Sequence, residues 1–239
     1  MNNGSCRSWL LVSMAKVGDV GRAVHCGADV VVFDLVEFVA EEDRPAAREK
    51  VRSAVAAVAA SGTTVFVQTT STTCEADLQA CVWPGLNGIV LSRVDSAQQM
   101  QDVNNLLSSL EKERGLAEGA INIVAALETA RGNQDAYEII TSSKRVSGVT
   151  LGRADLVMDL RPEPSGEIHL MPYLMQRLII ISRALGVTPL GAWWRAPDRG
   201  LLSTAENTLQ AAWRGRAAGF KGALCLRVEQ IEALNKAYA

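Results

Sequence analysis

Two hydrophobic periods alternate along the chain. Short, nearly continuous apolar runs rich in β-branched residues give way to longer stretches with apolar residues at i, i+3 and i+4. The short runs predict eight strands: Ser8–Ser13, Val30–Leu35, Thr63–Gln68, Ile89–Leu91, Ile121–Leu127, Val146–Leu151, Thr188–Trp193 and Gly222–Leu226. Runs without alternation are the habit of strands buried on both faces, as in parallel sheets. The longer stretches predict helices over 17–26, 43–60, 74–81, 96–114, 134–142, 171–185, 204–218 and 228–238. Met100, Val103, Leu106, Leu107 and Leu110 form the clearest helical stripe. Pro45 falls in a first turn, and Gly27, Gly62, Gly186 and Gly219 follow predicted helix ends. Arg161-Pro-Glu-Pro-Ser-Gly-Glu-Ile-His169 is the longest turn-rich stretch and reads as an extended loop, because alternation resumes after it.

Eight βα units in 239 residues match an α/β fold of the single (β/α)8 TIM-barrel type, one domain over 1–239. An open doubly wound sheet is the alternative. It calls for a Gly-rich phosphate turn after strand 1, where the chain has Val12-Ser-Met-Ala-Lys16.

Composition narrows the partners. Hydrophobic residues make up 48% and charged residues 21%, with a net charge of −2. Such a balance offers nothing to a polyanion, so nucleic acid is not an expected partner. No apolar run approaches the roughly 18 residues of a membrane span, so no membrane is expected either. Cys6, Cys26, Cys74, Cys81 and Cys225 are odd in number and scattered, with no CxxC or Cys/His cluster. That pattern argues against structural zinc and a disulfide framework, and for a soluble, cytoplasmic protein.

Chemistry in a parallel barrel gathers at the C-terminal strand ends. Those positions are Ser13, Asp34 with Glu37, Gln68, Ser92 with Arg93, Glu128, Asp155, Trp193 to Arg195, and Arg227. Clustered carboxylates raise one another's pKa unless a cation intervenes. All-oxygen ligation by two or so carboxylates suits Mg²⁺, with Mn²⁺ as a substitute, better than zinc. Glu128 and Asp155, after consecutive strands, are the natural pair. Each residue also has a plainer reading: Glu128 capping the next helix, Asp34 capping its loop, Arg93 pairing with Asp95, Arg153 pairing with Asp155, Trp193 packing at the rim. His25 and His169 have no Ser or Cys nucleophile signature nearby.

Five segments carry a resemblance: Arg7-Ser-Trp-Leu-Leu-Val12, Gly27-Ala-Asp-Val-Val-Val-Phe-Asp34-Leu, Ala126-Leu-Glu128-Thr-Ala-Arg-Gly132, Leu151-Gly-Arg-Ala-Asp155-Leu-Val-Met-Asp-Leu160 and Gly219-Phe-Lys-Gly-Ala-Leu-Cys225. In this order they resemble the citrate lyase β-subunit-like group of the HpcH/HpaI aldolase superfamily. The resemblance implies a TIM barrel with Mg²⁺ on Glu128 and Asp155. It also implies a carbon–carbon lyase or aldolase working through a metal-stabilised enolate of a 2-oxo acid or a CoA- or carrier-bound thioester. A homo-oligomer, trimer or hexamer, is implied as well.

The substrate positions depart from that group. Gln68 stands where it has a carboxylate-binding arginine; Val36-Glu37 replaces Glu-Asp, Ser92-Arg93 replaces Pro-Lys, Ser13-Met14 replaces Pro-Gly, and Leu226-Arg227-Val228 replaces Ile-His-Pro. The group's C-terminal extension is expected to be absent, the sequence ending at Ala239. Arg93, Asp34 and Glu37 are then the candidate catalytic groups, and Gln68, Ser13, Arg227 and Trp193 the candidate substrate contacts, with Arg227 or Arg195 replacing lost cations. The metal pair is kept while its surroundings are rewritten. Three functions follow: a lyase or aldolase on an altered substrate, a metal-binding barrel running hydrolysis or an unusual condensation, or a non-catalytic partner subunit.

Overall fold

The computed structural model describes residues 6–15, 20–21, 23–152, 171–191 and 204–239. Its strands are Ser8–Ser13 (β1), Val30–Asp34 (β2), Thr64–Thr70 (β3), Gly88–Ser92 (β4), Asn122–Leu127 (β5), Val146–Leu151 (β6), Thr188–Gly191 (β7) and Gly222–Cys225 (β8). They form a closed barrel in sequence order, each strand parallel to the next and β8 returning to β1. The described helices on its outside are Arg44–Ala59 (α1), Cys74–Cys81 (α2), Ala97–Glu113 (α3), Ala130–Gln134 (α4), Ala136–Thr141 (α5), Met171–Leu185 (α6), Ala205–Ala218 (α7) and Ile231–Ala237 (α8). The expected (β/α)8 barrel is therefore the observed fold. None of the described helices is long and apolar enough to cross a membrane.

Local differences from the expected boundaries have local causes. β3 runs two residues past Gln68, because Thr69 and Thr70 are β-branched and pair with Leu91 and Ser92. Ser96 and Thr204 stand just before their helices as N-caps, their hydroxyls accepting the Gln99 and Asn207 N–H groups at 3.3 and 3.2 Å. The helix expected over 134–142 is two short helices meeting at Asp135. The closing helix starts as a 3₁₀ turn, Val228–Gln230, because the Gln230 amide oxygen accepts the N–H groups of both Leu226 and Arg227 at 3.1 Å.

The strand period of two sorts the core into two layers. Trp9, Leu11, Val30, Val32, Phe66, Val90, Val124, Ala126, Leu190 and Leu224 fill the barrel interior. Trp9 and Phe66 meet edge to face, ring centroids 4.9 Å apart. Phe66 fits because the neighbouring inward position on β4 is Gly88, where any Cβ would run into its ring. The alternate residues, among them Val31, Phe33, Val65, Val67, Ile89 and Leu91, pack outward with helix residues such as Val51, Val55, Leu78, Met100, Leu107 and Ile139.

At the N-terminal end of the strands, Arg145 and Glu111 form a buried bidentate pair. Both of its N–O distances are 2.7 Å, and the same carboxylate accepts the Ile121 and Gly119 N–H groups at 2.9 Å. Burial alone would push the Glu111 carboxyl up, but Arg145 and the two N–H groups outweigh it and hold it below the ordinary carboxylate range. A depressed folded-state pKa adds stability above the ordinary range and loses it as pH falls through the depressed value. Glu111→Gln should therefore lower unfolding stability by about 3–5 kcal/mol near neutral pH, since it strands a buried arginine. Thermal unfolding measured from pH 7 down to about 2 should show the gap to the wild type closing in acid, below roughly pH 4.

Candidate active site

The inward-facing positions continue past the apolar layer. Two residues beyond Leu11, Val32, Phe66, Val90 and Ala126 come Ser13, Asp34, Gln68, Ser92 and Glu128. One turn of the pleat thus replaces an apolar layer by a polar one at the C-terminal end of the barrel, where such folds place their chemistry. A cavity of about 550 Å³ opens there, lined by Gln68, Thr70, Ser92 and Glu128 from the strand ends, and by Val36, Glu37, Arg44, Ser71, Thr72, Arg93, Asp95 and Gln99 from the flanking loops and helix starts.

Glu128 is only 3% exposed. The helix after it is capped by Thr129, whose hydroxyl accepts the Gly132 N–H at 3.0 Å, so capping is not the role of Glu128. Its Oε2 instead accepts the Arg93 backbone N–H at 3.0 Å. Arg93 presents that N–H from a left-handed backbone, φ 55°, the one non-glycine with positive φ among the described residues. Such a conformation costs on the order of 1–2 kcal/mol and persists where neighbours over-determine it. Here the neighbours are plain: the Thr129 hydroxyl donates to Asp95, the Asp95 N–H donates to the Gln99 amide oxygen at 2.8 Å, and Gly132 lets the Val94 carbonyl come close. On the other side, Gly152 at the end of β6 makes room for the carboxylate; a Cβ there would lie 2.6 Å from Oε1.

Asp34 is fully buried and holds the loop after β2. Its Oδ1 accepts the Val36 and Glu37 N–H groups at 3.0 and 2.9 Å, and its Oδ2 accepts Phe38 N–H at 2.7 Å. The loop so fixed carries Glu37, exposed on the cavity wall. Gln68 is 2% exposed; its Nε2 donates to Ser92 Oγ at 2.9 Å and its Oε1 is buried with no hydrogen-bond partner. The hydroxyl run after β3 is anchored from below by buried Asp77, which pairs with Arg48 at 2.7 Å and accepts the Thr69 and Thr73 hydroxyls at 2.5 and 2.6 Å.

Of the described candidates, Asp34 sits beneath the cavity loop, while Glu37, Gln68, Arg93 and Glu128 line the cavity together. Ser13 and Arg227 do not line it. The Ser13 hydroxyl donates to the Phe38 carbonyl at 2.9 Å, and Arg227 stands exposed where β8 meets its 3₁₀ turn. Asp155 and Trp193, like Arg153, Arg195 and His169, lie outside the described residues. Sequence reasoning missed Arg44, Asp95, Gln99 and the hydroxyls of residues 70–72. A usable signal existed for Arg44: a cation in the first turn of a helix opposes the macrodipole, so its presence there calls for a reason. The three buried thiols are not set up as nucleophiles, since burial pushes Cys74 up to about 12 and raises Cys81 and Cys225 further, Asp77 adding to the first two.

Among the described residues no three His, Cys, Asp or Glu side chains gather as a metal cluster. Among the described residues the cavity offers a metal the buried Glu128 carboxylate, oriented by a backbone N–H and given space by Gly152, with carboxylate, hydroxyl and amide oxygens around it and no thiol or imidazole in the lining. That donor set fits a hard cation that keeps water ligands, Mg²⁺ or Mn²⁺, and not a thiolate- or imidazole-seeking metal.

The HpcH/HpaI aldolase/citrate lyase profile matches residues 7–228, the whole barrel. The chain belongs to that family. Within the HpcH/HpaI aldolase/citrate lyase family it is 28% identical over 239 residues to the citrate lyase subunit beta of Escherichia coli K12, covering 98% of this chain and 76% of that one. It is 24% identical to a (3S)-malyl-CoA thioesterase of Cereibacter sphaeroides, with 98% and 77% covered. The citrate lyase beta subunit of M. tuberculosis, solved with oxaloacetate and magnesium, shares the fold at a TM-score of 0.72 and 23% identity, over 98% of this chain and 97% of that one.

The role of Asp34 as a loop anchor is open to direct measurement. Asp34→Asn turns one acceptor oxygen into an N–H₂ facing a backbone N–H, and should cost about 1–3 kcal/mol. Thermal unfolding should register that loss, and limited proteolysis should cut the variant faster within 35–40.

Proposed function

We propose that the chain is a Mg²⁺- or Mn²⁺-dependent enzyme that makes or breaks a carbon–carbon bond beside the carbonyl of a 2-oxo acid or acyl thioester. The observation that carries this reading is Glu128: a buried carboxylate at the end of β5, turned by the Arg93 N–H toward a polar cavity. Family membership supports it, as do the magnesium and oxaloacetate held by the M. tuberculosis relative. Glu128 and, by the motif it belongs to, Asp155 are the proposed ligands. A divalent cation bound there supplies a Lewis acid that stabilises negative charge developing on the substrate's carbonyl oxygen.

The chain's own residues divide the remaining work. The Arg93 N–H fixes which way the Glu128 carboxylate faces, a positioning role typical of groups behind a metal ligand. Glu37 stands on the cavity wall as the candidate proton acceptor, on a loop whose shape Asp34 sets. Arg44 and Arg93 bring positive charge to the rim for an anionic substrate. The Gln68–Ser92 pair closes the β3–β4 side.

Thioester hydrolysis is the second reading, favoured by the thioesterase relative and by an uncharged Gln68 facing the cavity. Incubation with Mg²⁺ and malyl-CoA separates the two. Cleavage to acetyl-CoA and glyoxylate marks a lyase, whereas free malate and CoA mark a hydrolase.

Glu128→Gln keeps the shape of the side chain and removes its charge. Mn²⁺ affinity, read by electron paramagnetic resonance, should fall at least about tenfold, with loss of turnover on whichever substrate the wild type accepts. Wild-type affinity and turnover in this variant would sink the proposal.

A further inference from the structure

Three consecutive residues after β4 are bonded one by one to the segment that carries Glu128. The Arg93 N–H donates to Glu128 Oε2 at 3.0 Å, the Val94 N–H donates to the Ala126 carbonyl at 3.4 Å, and Asp95 accepts the Thr129 hydroxyl. Glu128 and Thr129 are neighbours in sequence, so together they grip the loop at two points, residues 93 and 95. Gly132 lets the loop dock this closely, since a Cβ there would lie 2.2 Å from the Val94 carbonyl oxygen. The Asp95 N–H goes to the Gln99 amide oxygen at 2.8 Å, which ties the far end of the loop to the first turn of α3.

Capping alone does not account for Thr129. The cap of α4 uses a lone pair of its hydroxyl, on the Gly132 N–H at 3.0 Å, and an aspartate would cap equally well. What an aspartate lacks is the hydroxyl proton, and that proton goes to Asp95. Arg93 shows what the extra bond is for. Its φ of 55° lies in a region that non-glycine residues leave unless their surroundings hold them there. Residues 93–95 bridge the end of β4 and Ser96, the N-cap of α3. Released from Thr129, that short bridge can leave its docked path and let φ return to the ordinary negative range. The N–H on Glu128 then shifts with it.

We propose that Thr129 and Asp95 are positioning residues for the Glu128 carboxylate. The bond between them keeps the Arg93 backbone left-handed, and through the Arg93 N–H it keeps Glu128 aimed into the cavity. Its consequence for metal binding rests on the reading of Glu128 as a cation ligand, whereas the clamp itself is measurable in the metal-free chain. Asp95 also lines the cavity, so its charge and its hydrogen bond have to be separated.

Two measurements on the full chain do so: exchange of the Arg93 amide proton, followed by nuclear magnetic resonance in metal-free protein with isotope-labelled arginine, and Mn²⁺ affinity by electron paramagnetic resonance. Asp95→Ala removes the tether and leaves the cap of α4 in place. It should speed Arg93 exchange and weaken Mn²⁺ binding, each at least about tenfold. Asp95→Asn loses the same charge but keeps an oxygen for the Thr129 hydroxyl, and should stay within about threefold of the wild type in both. Thr129→Ser, which caps and donates, should match the wild type, and Thr129→Val should match Asp95→Ala. In an Arg93→Gly background, where positive φ carries no penalty, adding Asp95→Ala should weaken Mn²⁺ by no more than about threefold. Wild-type Arg93 exchange in Asp95→Ala, or in Thr129→Val where Asp95→Ala does not fold by circular dichroism, overturns the proposal. So does an Asp95→Asn variant that loses as much Mn²⁺ affinity as Asp95→Ala, because Asp95 then acts by charge. A wild type that binds no Mn²⁺ sinks the cation reading of Glu128, while Arg93 exchange still decides the clamp.

Discussion

A closed parallel barrel admits side chains to its interior only at every second strand position, and the space inside is finite. Trp9 and Phe66 use much of it, and they do so only because Gly88 gives up its side chain. The same two-residue step that packs Leu11, Val32, Phe66, Val90 and Ala126 then delivers Ser13, Asp34, Gln68, Ser92 and Glu128 to the next layer up. Hydrophobic filling and polar mouth are consecutive layers of one geometry. Shifting the register of any strand by one residue would send its polar end outward and an apolar neighbour into the mouth.

Backbone donors help to hold the polar layer. Asp34 takes three N–H groups from its own loop, and Glu128 takes one from the loop after β4. Charge-assisted bonds of this kind are stronger than neutral ones and need no second ionised partner inside the protein. The opposite end of the barrel uses the other solution, a complete bidentate ion pair between Arg145 and Glu111. One end is therefore closed by an ion pair, and at the other the backbone fixes which way the Asp34 and Glu128 carboxylates face.

The strands and the long helices were legible in the sequence because each signal was local: β-branched runs, a helical stripe, a cap, a glycine. Glu128 was legible as well, since an acid directly after an apolar strand has few places to go. Its rival role as a helix cap could not be dismissed until Thr129 was seen to take it. What stayed hidden was anything set by the approach of separate loops. Nothing in the sequence says that Arg44, thirty-odd residues after β1 and on a helix start, shares a cavity with Gln68, or that Arg227 does not. The backbone of Arg93 was equally silent, because its left-handed conformation is held by Glu128 directly and by Thr129 through Asp95, and Glu128 and Thr129 both lie beyond the next strand.

That backbone has a consequence for how the protein can change over time. A glycine at position 93 would relax the strained φ and stabilise the folded chain, yet it would also loosen the N–H that aims Glu128. Stability and carboxylate orientation thus pull in opposite directions at a single residue. Any change at position 93 that favours the barrel alone therefore works against the aim of the Glu128 carboxylate.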